Sequence, residues 1–426
     1  MMKAVRGMRD VFGEEMATWQ RVEQIFRTVS AAFGYHEFRT PMLEHTELFA
    51  RGVGEGSDIV GKEMYTFLDR GGDSVTMRPE MTAPIVRAAI EHNILRHQPT
   101  SRLWYYGPLF RYERPQKGRY RQFHQFGAEL LGSPHPEADA EIIMLAYETL
   151  RAVGAKLIEG VALEINTLGT ASTREAYREA LVQHFVAHRS TLSEDSQRRL
   201  DTNPLRILDS KHPDDQSLIA DAPALRTYLD EAAHMHFDTV RLLLDAAGIP
   251  YTVNDRLVRG LDYYSHTVFE ITTTQLGSQN AVCGGGRYDP LFEMVGGTPA
   301  PAVGFSIGVE RLVLLLEQME GGLQPPSRAQ VAVIALAEEA RLPAQLVALR
   351  LRRDGVSVIT DVQRRSAKAQ LNAAVKEQAQ YAILLGTDEL AAGTAMVKNL
   401  ATASQETVSV ERISPYLQQH LGVKAR

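Results

Sequence analysis

Residues 110–125 of the chain read FRYERPQKGRYRQFHQ. Strand-forming residues lie on both sides of a centre that contains Pro115 and Gly118, a pattern that predicts a β-hairpin. Five basic residues fall within the eleven positions from Arg111 to Arg121, so the loop presents concentrated positive charge. Arginine binds phosphate oxygens in pairs and an aromatic ring can stack on a base, which makes a polyphosphate a suitable ligand. The alternative is a basic hairpin that is exposed to solvent and binds no ligand, because runs of charged residues commonly lie on protein surfaces without a specific role.

The sequence around this hairpin predicts a sheet with helices against it. Apolar residues at helical spacing predict helices over 16–33, 141–153 and 308–319. Because the strand-like stretches are not separated by regular crossover helices, we expect an α+β domain with a largely antiparallel sheet flanked by helices. The predicted strands are 35–39, 74–77, 103–106, 123–131, 161–165 and 268–273.

Composition divides the chain into further regions. Residues from about 170 to 245 are polar, rich in charge and helix-prone, which predicts a helical insertion within a first domain of residues 1–320. Paired glycines and prolines predict a linker over 321–328. Beyond it strands and helices alternate, which predicts a small C-terminal α/β domain over 329–426 with a parallel core sheet.

Charge and cysteine content exclude several classes of protein. With 46 Lys and Arg against 52 Asp and Glu the net charge is −6, so nucleic acid would be bound only through local basic patches. The single cysteine, Cys283, excludes intrachain disulfides and multi-cysteine zinc sites, and it suits a reducing cytoplasm. No stretch approaches the ~18 apolar residues of a membrane span, and residues 1–13 do not have the pattern of a secretory signal.

Two other clusters place glycine or arginine where a site could form. Residues 259–264 read RGLDYY and residues 283–289 read CGGGRYD. The glycines at 284–286 permit positive φ and close approach of a ligand, yet taken alone they indicate a turn more strongly than a nucleotide site. Arg311, early in a predicted helix, either projects into a site or pairs with a neighbouring acid.

Several polar residues have a structural explanation as well as a functional one. Thr82, two residues after Glu80 at a junction of strand and helix, suits a binding site and an ordinary helix N-cap equally. His234 and His236 lie two apart on a predicted helix and so do not share a face, which argues against a metal site. Cys283 has no base beside it in the sequence, and we expect a packed core residue.

Taken together and in this order, these segments resemble the histidyl-tRNA synthetase family of the bacterial type, over essentially the whole chain. Residues 33–41 resemble motif 1 of the class II synthetases, which forms the family's dimer interface. Residues 110–125 and 308–311 resemble motifs 2 and 3, which alone would indicate only the class. Residues 257–264 and 284–289 resemble the two histidine-specific motifs and sharpen the assignment. The last domain is similar to the family's anticodon-binding domain.

The resemblance implies a reaction and its substrates. The histidine carboxylate would attack the α-phosphorus of ATP to give histidyl-adenylate and pyrophosphate, and the histidyl group would then pass to the terminal ribose hydroxyl of histidine tRNA. ATP with Mg²⁺ is the implied co-substrate, with no prosthetic group and no metal site made by the protein. The implied partners are L-histidine, ATP, and the acceptor end and anticodon of the tRNA, in a cytoplasmic homodimer without membrane contact.

The same resemblance implies roles for particular side chains. Arg111 and Arg259 would be catalytic, stabilising charge on the α-phosphate rather than forming a covalent bond. The implied ATP-binding residues are Arg111, Glu113, Arg119, Arg121, Phe123 and Arg311. The implied histidine-binding residues are Glu80, Thr82, Arg111, Gln125, Glu129, Arg259, Tyr263 and Tyr264.

A protein of a different functional class shares this core. The regulatory subunit of ATP phosphoribosyltransferase resembles the synthetase core but is catalytically inert, generally lacks the C-terminal domain and loses motif residues. Here Arg111, Arg259, Arg311 and the C-terminal domain are all present, which favours the enzyme. Met81 and Pro290 stand where the family commonly has glycine.

Overall fold

The computed structural model divides the chain into two compact units, Met1–Leu323 and Gln324–Arg426. Each unit has its own sheet and its own apolar core. The linker predicted over 321–328 lies outside the described residues. The structure describes residues 2–54, 57, 59–259, 263–276, 280–320 and 329–421.

An eight-stranded sheet forms the centre of the first unit. Its six inner strands are antiparallel, and one short parallel strand closes each edge, so the predicted fold class is confirmed. In chain order the strands of this unit are β1 (His36–Glu37), β2 (Leu43–His45), β3 (Tyr65–Leu68), β4 (Ser74–Met77), β5 (Ser101–Phe110), β6 (Gln122–Leu131), β7 (Val161–Thr167), β8 (Thr252–Val253), β9 (Ser265–Thr273), β10 (Ala281–Arg287) and β11 (Ala302–Gly308). The large sheet has the order β1-β5-β6-β11-β10-β9-β7-β8, and β2-β4-β3 form a small second sheet.

Strands β5 and β6 form the hairpin that the sequence predicts. Their register runs from Ser101 opposite Leu131 to Phe110 opposite Gln122. The loop between them reverses direction at Gly118, whose φ of 74° lies in the left-handed region that glycine adopts without strain. The charged residues of the hairpin therefore cluster at one end of the sheet.

Helices cover both faces of the sheet. On one face α1 and α5 bury Phe26 and Ile142 against β6, where the ring of Phe26 stacks on Phe126 with centroids 4.1 Å apart. On the other face α3 and α11 bury Ile85 and Leu291. The helices of this unit are α1 (Glu14–Ala32), α2 (Thr46–Val53), α3 (Thr82–Glu91), α4 (Ile94–His97), α5 (Pro136–Val153), α6 (Ala155–Glu159), α7 (Ala171–Val186), α8 (Glu194–Thr202), α9 (Pro213–Ala220), α10 (Glu231–Ala246), α11 (Leu291–Met294) and α12 (Val309–Glu320).

Four of these helices, α7 to α10, follow one another between β7 and β8, where the sequence is polar and charged. Helices α7 to α9 form a local core around Tyr177 and Leu181 that continues into the core on one face of the sheet, whereas α10 packs with α5 in the core on the other face. Within the described ranges, no helix combines the length and the apolar character that crossing a membrane requires.

The second unit is an α/β domain with a five-stranded sheet. Three parallel strands form one side, and two antiparallel strands extend the other, in the order β13-β12-β14-β15-β16. The last strand was not predicted, because its sequence QETVS is polar and mostly exposed. The elements are β12 (Val331–Ala335), α13 (Arg341–Arg353), β13 (Val358–Thr360), α14 (Ala367–Lys376), β14 (Tyr381–Leu385), α15 (Thr387–Ala392), β15 (Thr394–Asn399), β16 (Gln405–Ser409) and α16 (Ile413–Leu421).

The glycines at 284–286 are the main departure from expectation, because they lie within the inner strand β10 and the prediction of a turn is wrong. Their neighbours explain why glycine is needed in a strand. A Cβ atom on Gly285 would overlap the carbonyl oxygen of Gly304, and one on Gly286 would lie 2.5 Å from the carbonyl oxygen of Thr267. The strand is therefore packed too closely by its neighbours for any side chain at these positions.

Candidate active site

A cavity of about 400 Å³ opens above one face of the large sheet, at the end where the β5–β6 hairpin turns. Its walls come from both hairpin strands, from β10 and β11, from the start of α12 and from the segment before α3. On the basis of the sequence we proposed a set of substrate-binding residues, and all but two of them lie in the wall of this cavity. Those in the wall are Glu80, Thr82, Arg111, Glu113, Arg119, Phe123, Gln125, Arg259, Tyr263, Tyr264 and Arg311.

The alternation of side chains along β6 explains why one strand contributes several of these residues. Residues two apart point to the same face of a strand. Phe126 packs into the core beneath α1 and α5, so Phe123, Gln125 and Glu129, at odd-numbered positions, belong to the opposite face. The hairpin thus places an aromatic ring, an amide and a carboxylate in one row.

Arg111 lies at the start of the hairpin loop, above Phe123. Its Nε donates to the carbonyl oxygen of Pro79 at 2.8 Å, and its guanidinium carbon is 5.3 Å from the centre of the Phe123 ring. The nearest Glu113 oxygen is 3.9 Å away, beyond hydrogen-bond distance. Burial lowers the pKa of Arg111, so the site holds a desolvated positive charge that an anion would stabilise.

Two more arginines reach the cavity, Arg119 from the same hairpin loop and Arg311 from α12. Arg119 forms an ion pair with Glu113, and Arg311 donates to the carbonyl oxygen of Ala281 at 2.6 Å. Burial lowers the pKa of both guanidinium groups. Arg311 therefore lines the cavity. The carboxylate of the neighbouring Glu310 accepts a hydrogen bond from the backbone N–H of His124 in the hairpin.

Arg259 also lines the cavity. Its Nη1 donates to Glu270 Oε1 at 2.5 Å. The guanidinium lies directly against β10, where a Cβ atom on Gly284 would overlap it. Burial opposes the charge of Arg259, but Tyr264 and Glu270 raise its pKa above the ordinary value. Residues 260–262 of the same motif lie outside the described residues.

Glu80 is buried at the start of α3 and caps that helix. Its two carboxylate oxygens accept hydrogen bonds from the backbone N–H groups of Thr82 and Ala83, both at 2.8 Å. The interpretation of Thr82 as the N-cap is therefore wrong. Its hydroxyl is instead directed to Glu129, where it donates to Oε1 at 3.0 Å. A glutamate two residues upstream supplies the acceptors that the helix start requires.

Glu129 lies beneath the cavity wall and is 1 % exposed. Thr82 donates to its Oε1, and the hydroxyl of Tyr288 is 2.5 Å from its Oε2. Burial raises the pKa of Glu129 to about 8, although these hydrogen bonds act in the opposite direction. The carboxyl group is thus connected to the site through Thr82 and Tyr288, which line the cavity, whereas Glu129 itself does not.

Arg121 is the other predicted residue that does not line the cavity. Its guanidinium carbon is 3.7 Å from the centre of the Tyr112 ring, and its Nε donates to the carbonyl oxygen of Glu113 at 3.1 Å. The backbone N–H of Arg121 also donates to the carbonyl oxygen of Gly7. These contacts hold the base of the loop, and a direct phosphate contact by Arg121 has no support in this geometry.

The cavity contains residues that sequence reasoning did not single out. Tyr288 follows the glycines of β10, and Glu270 and Arg206 come from β9 and from the polar insertion. Tyr288 belongs to the segment 284–289, which resembles a histidine-specific motif, but it was assigned no role; Glu270 and Arg206 lie outside the motifs. Cys283 is buried and burial raises the pKa of its thiol, as expected for a packed residue. Among the described residues there is no cluster of three or more potential metal ligands.

Comparison with known proteins decides the family. The sequence profile described as Histidyl-tRNA synthetase matches residues 7–312, most of the chain. The chain belongs to the histidyl-tRNA synthetase family. A second profile, described as Anticodon binding domain, matches residues 330–420. Membership in the histidyl-tRNA synthetase family makes the chain a class II synthetase and a histidine–tRNA ligase that uses ATP.

Solved structures agree with membership in the histidyl-tRNA synthetase family. The apo histidyl-tRNA synthetase of S. aureus is 34% identical with a TM-score of 0.83, over 98% of this chain and 99% of that one. The histidyl-tRNA synthetase of Nostoc sp. PCC 7120 shares the fold at 20% identity and a TM-score of 0.71, over 99% and 100% of the two chains.

A Bacillus halodurans C protein described as an ATP phosphoribosyltransferase regulatory subunit/histidyl-tRNA synthetase also shares the fold. It has 24% identity and a TM-score of 0.65, over 91% of this chain and 98% of that one. At this level of sequence identity the similarity is evidence for a shared fold only.

Proposed function

We propose that the cavity binds ATP and histidine side by side and that Arg111 and Arg259 hold the reacting α-phosphate between them. The observation that supports this proposal is that two partly buried guanidinium groups, one on the hairpin beside Phe123 and one against Gly284 of β10, line the same cavity. Fixed cations at the position where negative charge develops lower the barrier of phosphoryl chemistry without a covalent step by the protein.

In the proposed first step the histidine carboxylate attacks the α-phosphorus in line with the leaving pyrophosphate. A bond forms between the carboxylate oxygen and phosphorus, and the bond from phosphorus to the bridging oxygen breaks. Arg119 and Arg311 lie where they can bind the remaining phosphates, and Phe123 offers a face on which adenine can stack. In the second step the terminal ribose hydroxyl of the tRNA attacks the histidyl carbonyl and releases AMP.

Mg²⁺ belongs to this proposal as part of the MgATP substrate. Four of the five described carboxylates that line the cavity are engaged by other groups: Glu270 binds Arg259, Glu113 binds Arg119, and Glu80 and Glu310 accept hydrogen bonds from backbone N–H groups. The described residues offer no cluster of three ligands. We therefore propose that phosphate oxygens and water hold the ion, which suits the preference of Mg²⁺ for a hydrated shell.

We also propose that the chain works as a cytoplasmic homodimer and that its second unit binds the anticodon of histidine tRNA. Support for the dimer comes from the segment after β1, where Met42 and Leu43 are about half exposed although apolar. Support for the anticodon comes from the domain matched at residues 330–420. Sedimentation of the purified protein tests the dimer, since a monomer at micromolar concentration would contradict it.

The exchange of labelled pyrophosphate into ATP tests the main proposal. We expect exchange that depends on L-histidine and on both arginines. No exchange with histidine, or equal exchange with other amino acids, would overturn the proposed adenylation. Charging of tRNA in the presence of histidine then tests the second step separately.

A further inference from the structure

The segment before α1 contacts the hairpin loop, and the proposed mechanism assigns it no task. Residues 5–8 form a turn in which the N–H of Met8 donates to the carbonyl oxygen of Val5 at 2.9 Å. Gly7 is the third residue of this turn and has a φ of 84°, a left-handed conformation that glycine adopts without strain. We refer to residues 5–9 as the 5–9 turn.

The backbone of the 5–9 turn is bonded to the backbone of the hairpin. The carbonyl oxygen of Gly7 accepts a hydrogen bond from the N–H of Arg121 at 2.7 Å. The carbonyl oxygen of Arg121 in turn accepts one from the N–H of Arg111 at 2.9 Å. Arg119 lies two residues before Arg121, so the turn is joined to the part of the hairpin that carries two of the arginines proposed for the phosphates.

Side chains on both sides of the loop pack against Gly7. A Cβ atom at position 7 would lie 2.8 Å from Cγ of Arg121 and 3.0 Å from Cγ of Pro115. Pro115 precedes the reversal of the loop at Gly118, and Arg121 follows it. Contacts this close require glycine at position 7. The 5–9 turn therefore supports the loop before and after the point where it reverses direction.

Arg9 adds a contact to Tyr120, a loop residue that lines the cavity. Its guanidinium carbon is 5.0 Å from the centre of the Tyr120 ring, within the range of a cation–π contact. Two nitrogens of the same guanidinium donate to the carboxylate of Glu15 in α1, one of them at 3.0 Å. Glu15 also accepts from the indole N–H of Trp19 at 3.2 Å. The cation that faces Tyr120 is thus held in place by a regular helix.

Other parts of the loop have looser surroundings. Arg114, Gln116 and Lys117 are exposed to solvent. On the side of α12, a Cβ atom on Gly118 would lie 3.5 Å from a methyl group of Leu314, which is an ordinary packing distance. The contacts with the 5–9 turn are closer and include a backbone hydrogen bond. Their loss would allow the loop to adopt other conformations.

We propose that Gly7 and Arg9 are positioning residues of the ATP site, which hold the loop so that Arg119 and Tyr120 stand in the cavity wall before ATP binds. This deepens the proposed function and rests on it, because it takes the phosphates of ATP as the ligand of Arg119. A loop that is already ordered loses less conformational entropy on binding. Groups proposed for the amino acid alone, such as Glu80 at the start of α3, come from other elements. Loss of the turn should therefore weaken ATP binding and spare histidine.

Arg9→Met removes the charge and keeps an unbranched side chain. We expect the KM for ATP in histidine-dependent pyrophosphate exchange to rise roughly 5- to 50-fold, which corresponds to the loss of a cation–π contact and the ordering of the loop on binding. The KM for histidine and the rate at saturating ATP should stay unchanged. Arg9→Lys keeps a cation near Tyr120 and should recover most of the ATP affinity. A purely structural role predicts neither this rescue nor the split between the two substrates.

Gly7→Ala tests the turn without a change of charge. The new methyl group would press against Arg121 at a φ of 84°, and we expect the KM for ATP to rise as in Arg9→Met. Gly248→Ala has a similar φ of 68° with open space around the Cβ position, so it controls for backbone strain alone. Arg6→Met, at an exposed position of the same turn, is the matched control for the loss of an arginine. Both controls should keep the wild-type KM for ATP.

Limited proteolysis measures the order of the loop directly, because Lys117 offers trypsin an exposed site within it. Without ATP, Arg9→Met and Gly7→Ala should be cut after Lys117 faster than wild type, and saturating MgATP should slow the cleavage. If Arg9→Met does not fold, Gly7→Ala decides the question alone, with its thermal midpoint of unfolding as the check on folding.

The failure of the proposed function and the failure of this inference give different results. If wild type, Arg6→Met and Gly248→Ala show no histidine-dependent exchange, the proposed function fails. If these three are active, the positioning role alone is overturned by a wild-type KM for ATP and a wild-type rate of cleavage in Arg9→Met and Gly7→Ala. An equal rise of the KM for ATP and the KM for histidine overturns it as well.

Discussion

Glu129 and Gly304 lie directly opposite each other in the register of β6 and β11, and Oε2 of Glu129 fills the space that a Cβ atom at position 304 would need. The side chain of Glu129 therefore crosses the neighbouring strand at the one residue type that leaves room for it. On its far side Oε2 meets the hydroxyl of Tyr288. A missing side chain on one strand thus determines where a buried carboxyl group on the next strand can be.

Gly304→Ala should disturb this arrangement without changing any charge. The new methyl group would overlap Glu129 and also lie 2.7 Å from the carbonyl oxygen of Ala128. We expect a loss of about 1–3 kcal/mol in the free energy of unfolding from overpacking, and a larger KM for histidine than for wild type. Gly61→Ala, whose Cβ would meet no atom within 4 Å, is the control for urea unfolding. Equal stability of the two variants would contradict the predicted overlap.

Glu129→Gln should change the pH dependence of stability. Burial raises the pKa of Glu129 to about 8, whereas its pKa in the unfolded chain is about 4.3. Between these two pH values Glu129 is therefore protonated in the folded protein and ionised in the unfolded chain. Stability contributed by the protonated group is present at low pH and is lost as the pH rises through about 8. Relative to wild type, the glutamine variant should therefore gain stability between about pH 5 and about pH 9, measured by urea unfolding without ligands.

The exposed Glu175 provides the control for that measurement, since Glu175→Gln changes the same functional group at the surface of α7. Its free energy of unfolding should follow wild type over the whole range. A difference between Glu129→Gln and wild type that does not vary with pH would show that Glu129 does not titrate as described.

Arg259→Ala should remove one of the two cations proposed for the α-phosphate. We expect the rate of histidine-dependent exchange to fall about 10²- to 10³-fold, as for the loss of other charge-stabilising groups, with the thermal midpoint of unfolding little changed. The partner left behind, Glu270, remains partly accessible to water. Arg256→Ala, at an exposed position in the same segment, should keep full activity. Unchanged exchange in Arg259→Ala would remove this residue from the mechanism.

Asp139→Ala should be strongly destabilising, because Arg287 would keep its charge in a fully buried place. Removing one member of a buried ion pair costs about 3–5 kcal/mol. The double variant Asp139→Ala with Arg287→Met should recover much of that loss, since no fully buried charge is left unpaired; Asp289, the other partner of Arg287, is partly exposed. Asp195→Ala, which breaks an exposed ion pair with Arg198, serves as the control. Denaturant unfolding in which the double variant is no better than Asp139→Ala would contradict the electrostatic explanation.

Local patterns were sufficient for the predicted hairpin and for most helices. The turn residues Pro115 and Gly118 and the alternating strands beside them are neighbours in the sequence, so their structure follows from short-range rules. The helical character of residues 171–246 also follows from local spacing and charge. The choice of site residues, in contrast, came from a resemblance between motifs, and their roles remain predictions.

What the sequence did not predict depends on contacts between distant residues. The hydroxyl of Thr82 donates a hydrogen bond to a carboxylate 47 positions away, and nothing near Thr82 in the chain indicates this contact. The glycines at 284–286 look like a turn because the atoms that exclude their side chains belong to other segments, such as Arg259 and Thr267. The capping of α3 by Glu80 was missed because the usual rule places the capping side chain directly at the helix start.

Because Cys283 is buried, the rate at which its thiol reacts can report local opening of the folded protein. It is the only cysteine of the chain and lies in an inner strand of the large sheet. Cys283 borders the cavity but is only 2 % exposed, so a thiol reagent needs a local opening around β10 before it meets an accessible thiolate. The rate of labelling in native buffer therefore measures how often the centre of the catalytic unit opens, and a single absorbance trace suffices to follow it.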